Sequence, residues 1–118
     1  MSTITRKKTN ARMSQVTIHG DTVYLAGQCS DVQGDIRVQA ENVLSKVEKA
    51  LAEAGSNPRH MLSATLHLRD MAHFAGFNAV WDAWIPEGHA PGRTCVEARL
   101  CEDWFLCEVT VIAALPKG

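Results

Sequence analysis

The chain has 118 residues, 46% of them hydrophobic, and its 12 lysines and arginines nearly balance 13 aspartates and glutamates. This length fits one compact domain, and we expect a single domain over 1–118 that begins with a polar lead at 1–12. The charge balance gives no strong field towards nucleic acid or an anionic membrane, and we expect neither as a partner. The lead lacks the apolar core of a secretory signal, and no apolar run approaches the ~20 residues of a membrane span, which indicates a soluble cytoplasmic protein.

The four cysteines and five histidines do not follow the spacing of a metal site or of a disulfide framework. No C-x-x-C pair occurs, and the histidines are scattered along the chain. Because the cytosol keeps thiols reduced, we expect four unbridged cysteines and no bound metal.

The first half of the chain predicts a β-hairpin followed by a helix. Two β-branched runs at 15–18 and 22–26 are joined by His-Gly-Asp, which suits a tight turn, and a polar loop follows at 29–35. A helix then ends at Gly55, where a cap residue is expected. Its apolar face consists of Ile36, Ala40, Val43, Leu44, Val47, Leu51 and Ala54.

The second half predicts three more strands and a second helix. A strand at 60–71 is followed by a helix that Asp70 caps and that runs to about Ile85, where Pro86 stops it. Extended segments at 93–100 and 104–115 complete the order ββαβαββ. This order is typical of a two-layer α+β fold, a mixed sheet with both helices on one face. The last strand is apolar on both faces, so we expect a partner subunit to cover the face without helices.

Arg93 begins an extended segment after a loop that is rich in glycine and proline. From this position a guanidinium can hold a planar carboxylate through two parallel hydrogen bonds. The structural alternatives are a solvated arginine or an ion pair with Glu97.

Glu108 interrupts the apolar run Leu106 to Leu115. A buried carboxylate without partners costs several kcal/mol, so something must compensate for it. It either lies at a rim or pairs with an arginine such as Arg93 or Arg99, or it sits in a pocket where it orients water and moves protons. The residue pattern leaves these possibilities open.

Five ordered segments resemble the Rid/YjgF family, also called the endoribonuclease L-PSP or reactive intermediate deaminase family. They are VYLAGQ, NVLSKVEKALAEAG, LRDMAHFAGFNAVWDAW, PGRTCVEARL and CEVTVIAA. The resemblance spans about residues 12–114. Its most specific part is P-x-R-x-x-V with a glutamate fifteen residues after the arginine, preceded by F-x-x-x-N-x-x-[WY].

The resemblance implies a chorismate mutase-like fold assembled as a homotrimer, with the sheets forming a central barrel and clefts between adjacent subunits. Better-known members hydrolyse 2-imino or enamine acids to 2-keto acids and ammonia without a metal or an organic cofactor. A small carboxylate-bearing metabolite is then the expected ligand. An imine carbon is already electrophilic, so it needs chiefly a fixed carboxylate, an oriented water and a proton relay.

The resemblance also assigns roles to individual residues. The family's carboxylate-binding arginine falls on Arg93 and its water-activating glutamate on Glu108, so both are expected to meet at a subunit junction. Gly27 and Cys95 match positions whose backbone groups contact the substrate. Asn78 lies in the family's asparagine motif, although a helix residue bonded to a neighbouring backbone is the simpler explanation.

Two positions depart from the family pattern and make the presumed cleft more apolar. Ala26 stands where archetypal deaminases have serine, and Met13 where they have tyrosine. We interpret the chain as a divergent subfamily that retains Arg93 and Glu108.

Three functions are open at this point. Imine or enamine hydrolysis leads, and a trimeric protein that binds a small carboxylate without turnover is the alternative. A ribonuclease or translation inhibitor ranks last because the chain is near neutral and shows no basic stripe with interleaved aromatics. The neighbouring Trp104 and Phe105 receive no role.

Overall fold

Two helices lie on one face of a seven-stranded mixed sheet in the computed structural model, which describes residues 3–116. The helices are α1 (Ile36–Ala54) and α2 (Phe74–Trp84). The strands are β1 (Ile4–Thr9), β2 (Ser14–His19), β3 (Thr22–Leu25), β4 (Gln28–Cys29), β5 (Met61–Leu68), β6 (Gly92–Glu97) and β7 (Cys107–Ala114). No helix within the described range is long and apolar enough to cross a membrane.

The strands follow the spatial order β1-β2-β3-β7-β5-β6, and the short β4 also pairs with β7. Neighbours are antiparallel except for β5 and β6, which run parallel because α2 connects them. The strand β5 therefore lies between β6 and β7. This arrangement places Arg93 and Glu108 on strands separated by β5.

Local sequence explains where both helices begin and end. The Asp35 carboxylate accepts a hydrogen bond from Val38 N at the start of α1, and Gly55 ends the helix with φ 90°, as the sequence predicted. Asp70 caps a short 3₁₀ turn (Met71–His73) that leads into α2 rather than capping α2 itself. The helix ends at Trp84, one residue before the predicted end.

The core fills the space between the helices and the helix-facing side of the sheet. Along β7, residues 107, 109, 111 and 113 are buried, whereas 108, 110, 112 and 114 are half-buried on the other side. The same alternation holds along β5, where Ala64, Leu66 and Leu68 are buried. We call the side of the sheet that carries Glu108 the open face, because both helices lie on the opposite side.

The α+β class, the mixed sheet and both helices agree with the sequence analysis. The structure adds two strands that the sequence did not predict, β1 within the lead at 1–12 and β4 within the loop at 29–35 and the residue before it. The last strand is shorter than predicted because Trp104–Leu106 precede it in a turn region. The predicted trimeric barrel concerns other copies of the chain and stays a prediction.

Replacing Asp35 with alanine is expected to lower the free energy of unfolding by about 1 kcal/mol, because the Val38 N–H loses its acceptor. Asp35→Asn keeps an acceptor oxygen and should retain most of that stability. Urea denaturation of the three proteins measures the difference. Equal losses for both variants would mean that the charge, and not the cap hydrogen bond, stabilises α1.

Candidate active site

Arg93 lies on the helix-facing side of the sheet, against two aromatic rings of α2. Its Cζ is 5.8 Å from the ring centroid of Phe74 and 5.2 Å from that of Trp81. Trp81 is buried in the core, whereas Phe74 is 37% exposed. The two rings hold the guanidinium by cation–π attraction at the edge of the core.

The Arg93 guanidinium has an unpaired buried nitrogen. Nη1 has no hydrogen-bond partner among the described residues. The ion pairs within residues 3–116 are Lys8–Glu53 and Lys46–Asp31, so the alternative pair with Glu97 does not form. A buried N–H without an acceptor costs about 1–3 kcal/mol, more on a charged group, and an anionic ligand would recover that cost.

Asn78 shares the helix face that contacts Arg93. It follows Phe74 by four residues and precedes Trp81 by three, which places it between the two rings. Its Oδ1 is buried and has no partner among the described residues, so this oxygen does not bond to the neighbouring backbone as the simpler alternative required. A second unpaired polar atom therefore lies on the helix face against which Arg93 packs.

Cys95 follows Arg93 on the same face of β6. Burial raises the pKa of its thiol, while the Arg93 charge acts in the opposite direction. At neutral pH the thiol is protonated, which disfavours a thiolate nucleophile. The predicted contact of a substrate with the Cys95 main chain stays a prediction.

Glu108 lies half-buried on the open face, next to the backbone of Gly27. A Cβ added at Gly27 would approach the Glu108 Cδ to 2.9 Å and overlap the carboxylate itself. Any larger residue at position 27 would have to displace the Glu108 carboxylate from this position. No ion pair involves Glu108 among the described residues, so the alternative of a pair with Arg93 or Arg99 does not occur within one chain.

Ala26 and Gly27 lie between β3 and β4, and Met13 directly precedes β2, which pairs with β3. Ala26 precedes Gly27, and its N–H donates to Gln15 O at 2.9 Å. Met13 comes directly before β2 and is 39% exposed. Their predicted part in lining a ligand cleft stays a prediction.

The register shows that Arg93 and Glu108 lie on opposite faces of the sheet. Ala64 pairs with Arg93 on one side and with Val111 on the other, and its side chain is buried under the helices. His67 pairs with Glu108. Because Ala64 and His67 are three residues apart in one strand, their side chains and those of their partners point to opposite faces. One chain does not bring Arg93 and Glu108 together.

The candidate site therefore consists of two parts. The binding part is Phe74, Asn78, Trp81, Arg93 and Cys95 on the helix-facing side, and the acid part is Gly27 and Glu108 on the open face. A site that contains both parts requires at least two chains.

All four cysteines are unbridged, and burial raises the pKa of two of them well above the ordinary thiol value. Burial, with a smaller contribution from Glu108, raises the pKa of Cys29 to about 11. Burial raises the pKa of Cys107 to about 12. Within residues 3–116, no group of three His, Cys, Asp or Glu side chains is arranged to hold a metal ion.

A cavity of about 670 Å³ lies between α1 and α2, away from both parts of the site. Trp84 and Glu48 form part of its lining, and the Trp84 Nε1–H donates to Glu48 Oε1 at 3.0 Å. Since none of the candidate residues lines this cavity, we do not connect it with the chemistry.

Two side chains, those of Gln39 and Arg69, form hydrogen bonds with the backbone of the loop before β7. Gln39 donates to Trp104 O at 2.9 Å and accepts from Leu106 N at 2.9 Å, while Arg69 Nε donates to Phe105 O at 2.6 Å. The Trp104 and Phe105 rings meet edge to face, with centroids 4.6 Å apart. The loop is rigidly placed, and neither ring gains a role.

His67 is a neighbour of Glu108 to which the sequence analysis gave no role. Its Nδ1 is buried without a partner among the described residues. The signal was present in the segment Ala-Thr-Leu-His-Leu, where a polar residue alternates with apolar ones and so faces away from the helices.

The fold and the site geometry define a two-layer α+β protein whose candidate site is divided between two faces of one sheet. The family model described as endoribonuclease L-PSP matches residues 3–115. The RutC family protein YoaB of Escherichia coli K12 is 38% identical over 113 residues, covering 96% of this chain and 99% of YoaB. The chain belongs to this family, and the resemblance stated from the sequence is confirmed.

Solved structures of similar proteins have the same fold. NMB1025 of Neisseria meningitidis, a member of the YjgF protein family, superposes with a TM-score of 0.97 at 34% identity, covering 98% of each chain. A Pseudomonas aeruginosa protein superposes with a TM-score of 0.93 at 36% identity, covering 97% of this chain and all of the other. The names of these two solved structures do not name a reaction.

Proposed function

We propose that the protein hydrolyses small 2-imino or enamine carboxylic acids to 2-keto acids and ammonia, in clefts between the chains of a homotrimer. The observation that carries this proposal is the Arg93 guanidinium, held between two aromatic rings with a buried, unpaired Nη1. A carboxylate ligand supplies both the charge and the acceptor that this group lacks. The proposal involves no metal and no organic cofactor.

Binding fixes the substrate by its carboxylate and leaves the C=N carbon free for attack. Arg93 binds the carboxylate, and the Asn78 amide provides a second polar contact. The backbone of Cys95 lies two residues further along β6, on the same face as Arg93. Phe74 is partly exposed beside the guanidinium and shields the ion pair from water. Fixing the substrate in this way supplies the orientation that a bimolecular addition otherwise lacks.

An enamine such as 2-aminoacrylate first tautomerises to its imine, with a proton leaving nitrogen and one joining C3, and Glu108 of a neighbouring chain then supplies the proton transfers of the hydrolysis. It takes one proton from water as the oxygen bonds to the imine carbon, and it passes that proton to the nitrogen, which gives a carbinolamine. Glu108 then moves the hydroxyl proton to the nitrogen. The C–N bond breaks, the electron pair of that bond leaves with ammonia, and the carbonyl forms. Glu108 ends as it began, and Gly27 leaves space for its carboxylate to act.

The open face provides the reason for assembly. On this face Tyr24 is 44% exposed and Val96 is 41% exposed, and Ile112 lies half-buried between their strands. A neighbouring chain that covers this face would bury apolar surface and bring its own Arg93 towards Glu108. We also propose a cytoplasmic location, because four free thiols persist in a reducing compartment.

The direct test is hydrolysis of 2-aminoacrylate, generated in situ by a serine or threonine dehydratase. We expect the protein to accelerate keto acid and ammonia release above the spontaneous rate. The matched control is the double variant Arg93→Ala/Glu108→Gln at the same concentration. Release that is unchanged by the protein across several imino acids would contradict the proposal.

Arg93→Ala is expected to weaken binding of 2-keto acids by about 10- to 100-fold, the range for losing a charge-assisted hydrogen-bonded pair. Arg93→Lys keeps the charge but not the planar two-point contact, so its loss should lie between those of alanine and the native residue. Calorimetric titration with pyruvate and 2-oxobutyrate measures both. Wild-type affinity in Arg93→Ala would place the carboxylate elsewhere.

The second candidate function is binding of a small carboxylate without turnover. The separation of Arg93 from Glu108 in one chain favours it, since the binding part of the site has no base of its own. Saturable keto acid binding that Arg93→Ala removes, together with unchanged imine hydrolysis in the presence of the protein, would support this function.

A further inference from the structure

His67 and Glu108 are direct neighbours on the open face. They are register partners on the antiparallel strands β5 and β7. Side chains directly opposite each other in such a pair have Cβ atoms about 4.5–5.5 Å apart, which is within reach of an imidazole and a carboxylate. Neither residue belongs to the helix-packed core, and both are half-buried.

The His67 imidazole lacks a partner that its burial requires. Its Nδ1 is buried, with no hydrogen bond among the described residues. On the other side of β5, the residue opposite His67 is Val96, which offers no polar side-chain atom. The polar group directly across the ladder from His67 is therefore the Glu108 carboxylate.

The Glu108 carboxylate in turn lacks a strong hydrogen-bond donor. Its carboxylate is half-buried, has no ion pair within residues 3–116, and rests on Gly27 without a side-chain donor from that residue. Its register partner on the other side is Cys29, and burial raises the pKa of that thiol to about 11. A protonated thiol is a weak hydrogen-bond donor, whereas an imidazole N–H is a strong one.

We infer that His67 is a positioning residue for Glu108: in the assembled site its ring N–H donates to the carboxylate and holds it towards the substrate. The inference rests on the proposed function, in which Glu108 handles the protons. His67 keeps its own proton throughout, so the proton count of the hydrolysis does not change. The bond fixes one carboxylate oxygen and leaves the other free for the water.

The kinetic test compares two substitutions. His67→Phe keeps an aromatic ring but removes both nitrogens, and His67→Gln keeps an N–H donor. With 2-aminoacrylate we expect kcat to fall about tenfold in His67→Phe with KM unchanged, as for loss of one hydrogen bond to a charged group. His67→Gln should recover most of kcat. Equal losses in both variants, or a rise in KM alone, would overturn the inference.

A spectroscopic test does not depend on activity. Imidazole ¹⁵N signals of His67, assigned by their loss in His67→Phe, are expected to shift when Glu108 is replaced by glutamine, because the charged acceptor disappears. His60 is the internal control, since its Nδ1 contacts Asn57 Oδ1 at 3.1 Å and should not respond.

The two tests separate the two claims. Unchanged His67 signals in Glu108→Gln overturn the positioning role, even if the protein is an active deaminase. Shifted signals in a protein that hydrolyses no imino acid support the His67–Glu108 contact and count against the proposed function instead.

Discussion

Replacing Glu108 with glutamine is expected to lower kcat for imine hydrolysis by about 100- to 10,000-fold, the usual contribution of a general acid–base group. Glutamine has the same shape and still fits against Gly27, but it cannot accept a proton from water. Binding of pyruvate should change little, because Arg93 and Asn78 hold the carboxylate. Steady-state kinetics with 2-aminoacrylate and calorimetry with pyruvate measure the two effects separately.

Glu41→Gln is the matched control for this experiment, because it makes the same chemical change at an exposed position on α1. It should leave both kcat and pyruvate affinity unchanged. A Glu108→Gln protein that retains wild-type kcat would remove Glu108 from the chemistry. Loss of pyruvate binding in that variant would instead mean that Glu108 shapes the binding part of the site.

The sequence predicted the helices and the main strands because their signals are local. The apolar face of α1 and the Gly55 cap each depend on residues within a few positions of one another. The strand β1 escaped prediction because Ile-Thr-Arg-Lys-Lys-Thr has no alternation of apolar and polar residues. All six residues are exposed at the sheet edge, where charged side chains also discourage pairing with another chain. The strand β4 has only two residues and no pattern to read.

The sequence identified Arg93 and Glu108 as residues in unusual surroundings, but it did not predict their placement on opposite faces. Alternation within β6 or β7 fixes which residues of that strand share a face. It does not fix which face of β7 corresponds to which face of β6, because that depends on how both strands pair with β5. His67 escaped notice for the same reason, since its place opposite Glu108 depends on how β5 pairs with β7.

Mixing two inactive variants is expected to restore activity if the site is shared between chains. Arg93→Ala chains keep Glu108, and Glu108→Gln chains keep Arg93. In a cyclic trimer formed at random from equal amounts, about a quarter of the shared sites receive a native Arg93 from one chain and a native Glu108 from the next, so about a quarter of wild-type activity should return. The variants are refolded together from denaturant, and keto acid release is compared with that of each variant refolded alone.

A matched experiment mixes wild type with the double variant Arg93→Ala/Glu108→Gln. A shared site then leaves about a quarter of the sites active, whereas a site within one chain leaves about half, because each wild-type chain keeps its own. Since Arg93 and Glu108 lie on opposite faces of one sheet, we expect the lower value. Half activity here, together with no recovery on mixing the single variants, would contradict a shared site and require one chain to contain all of the chemistry.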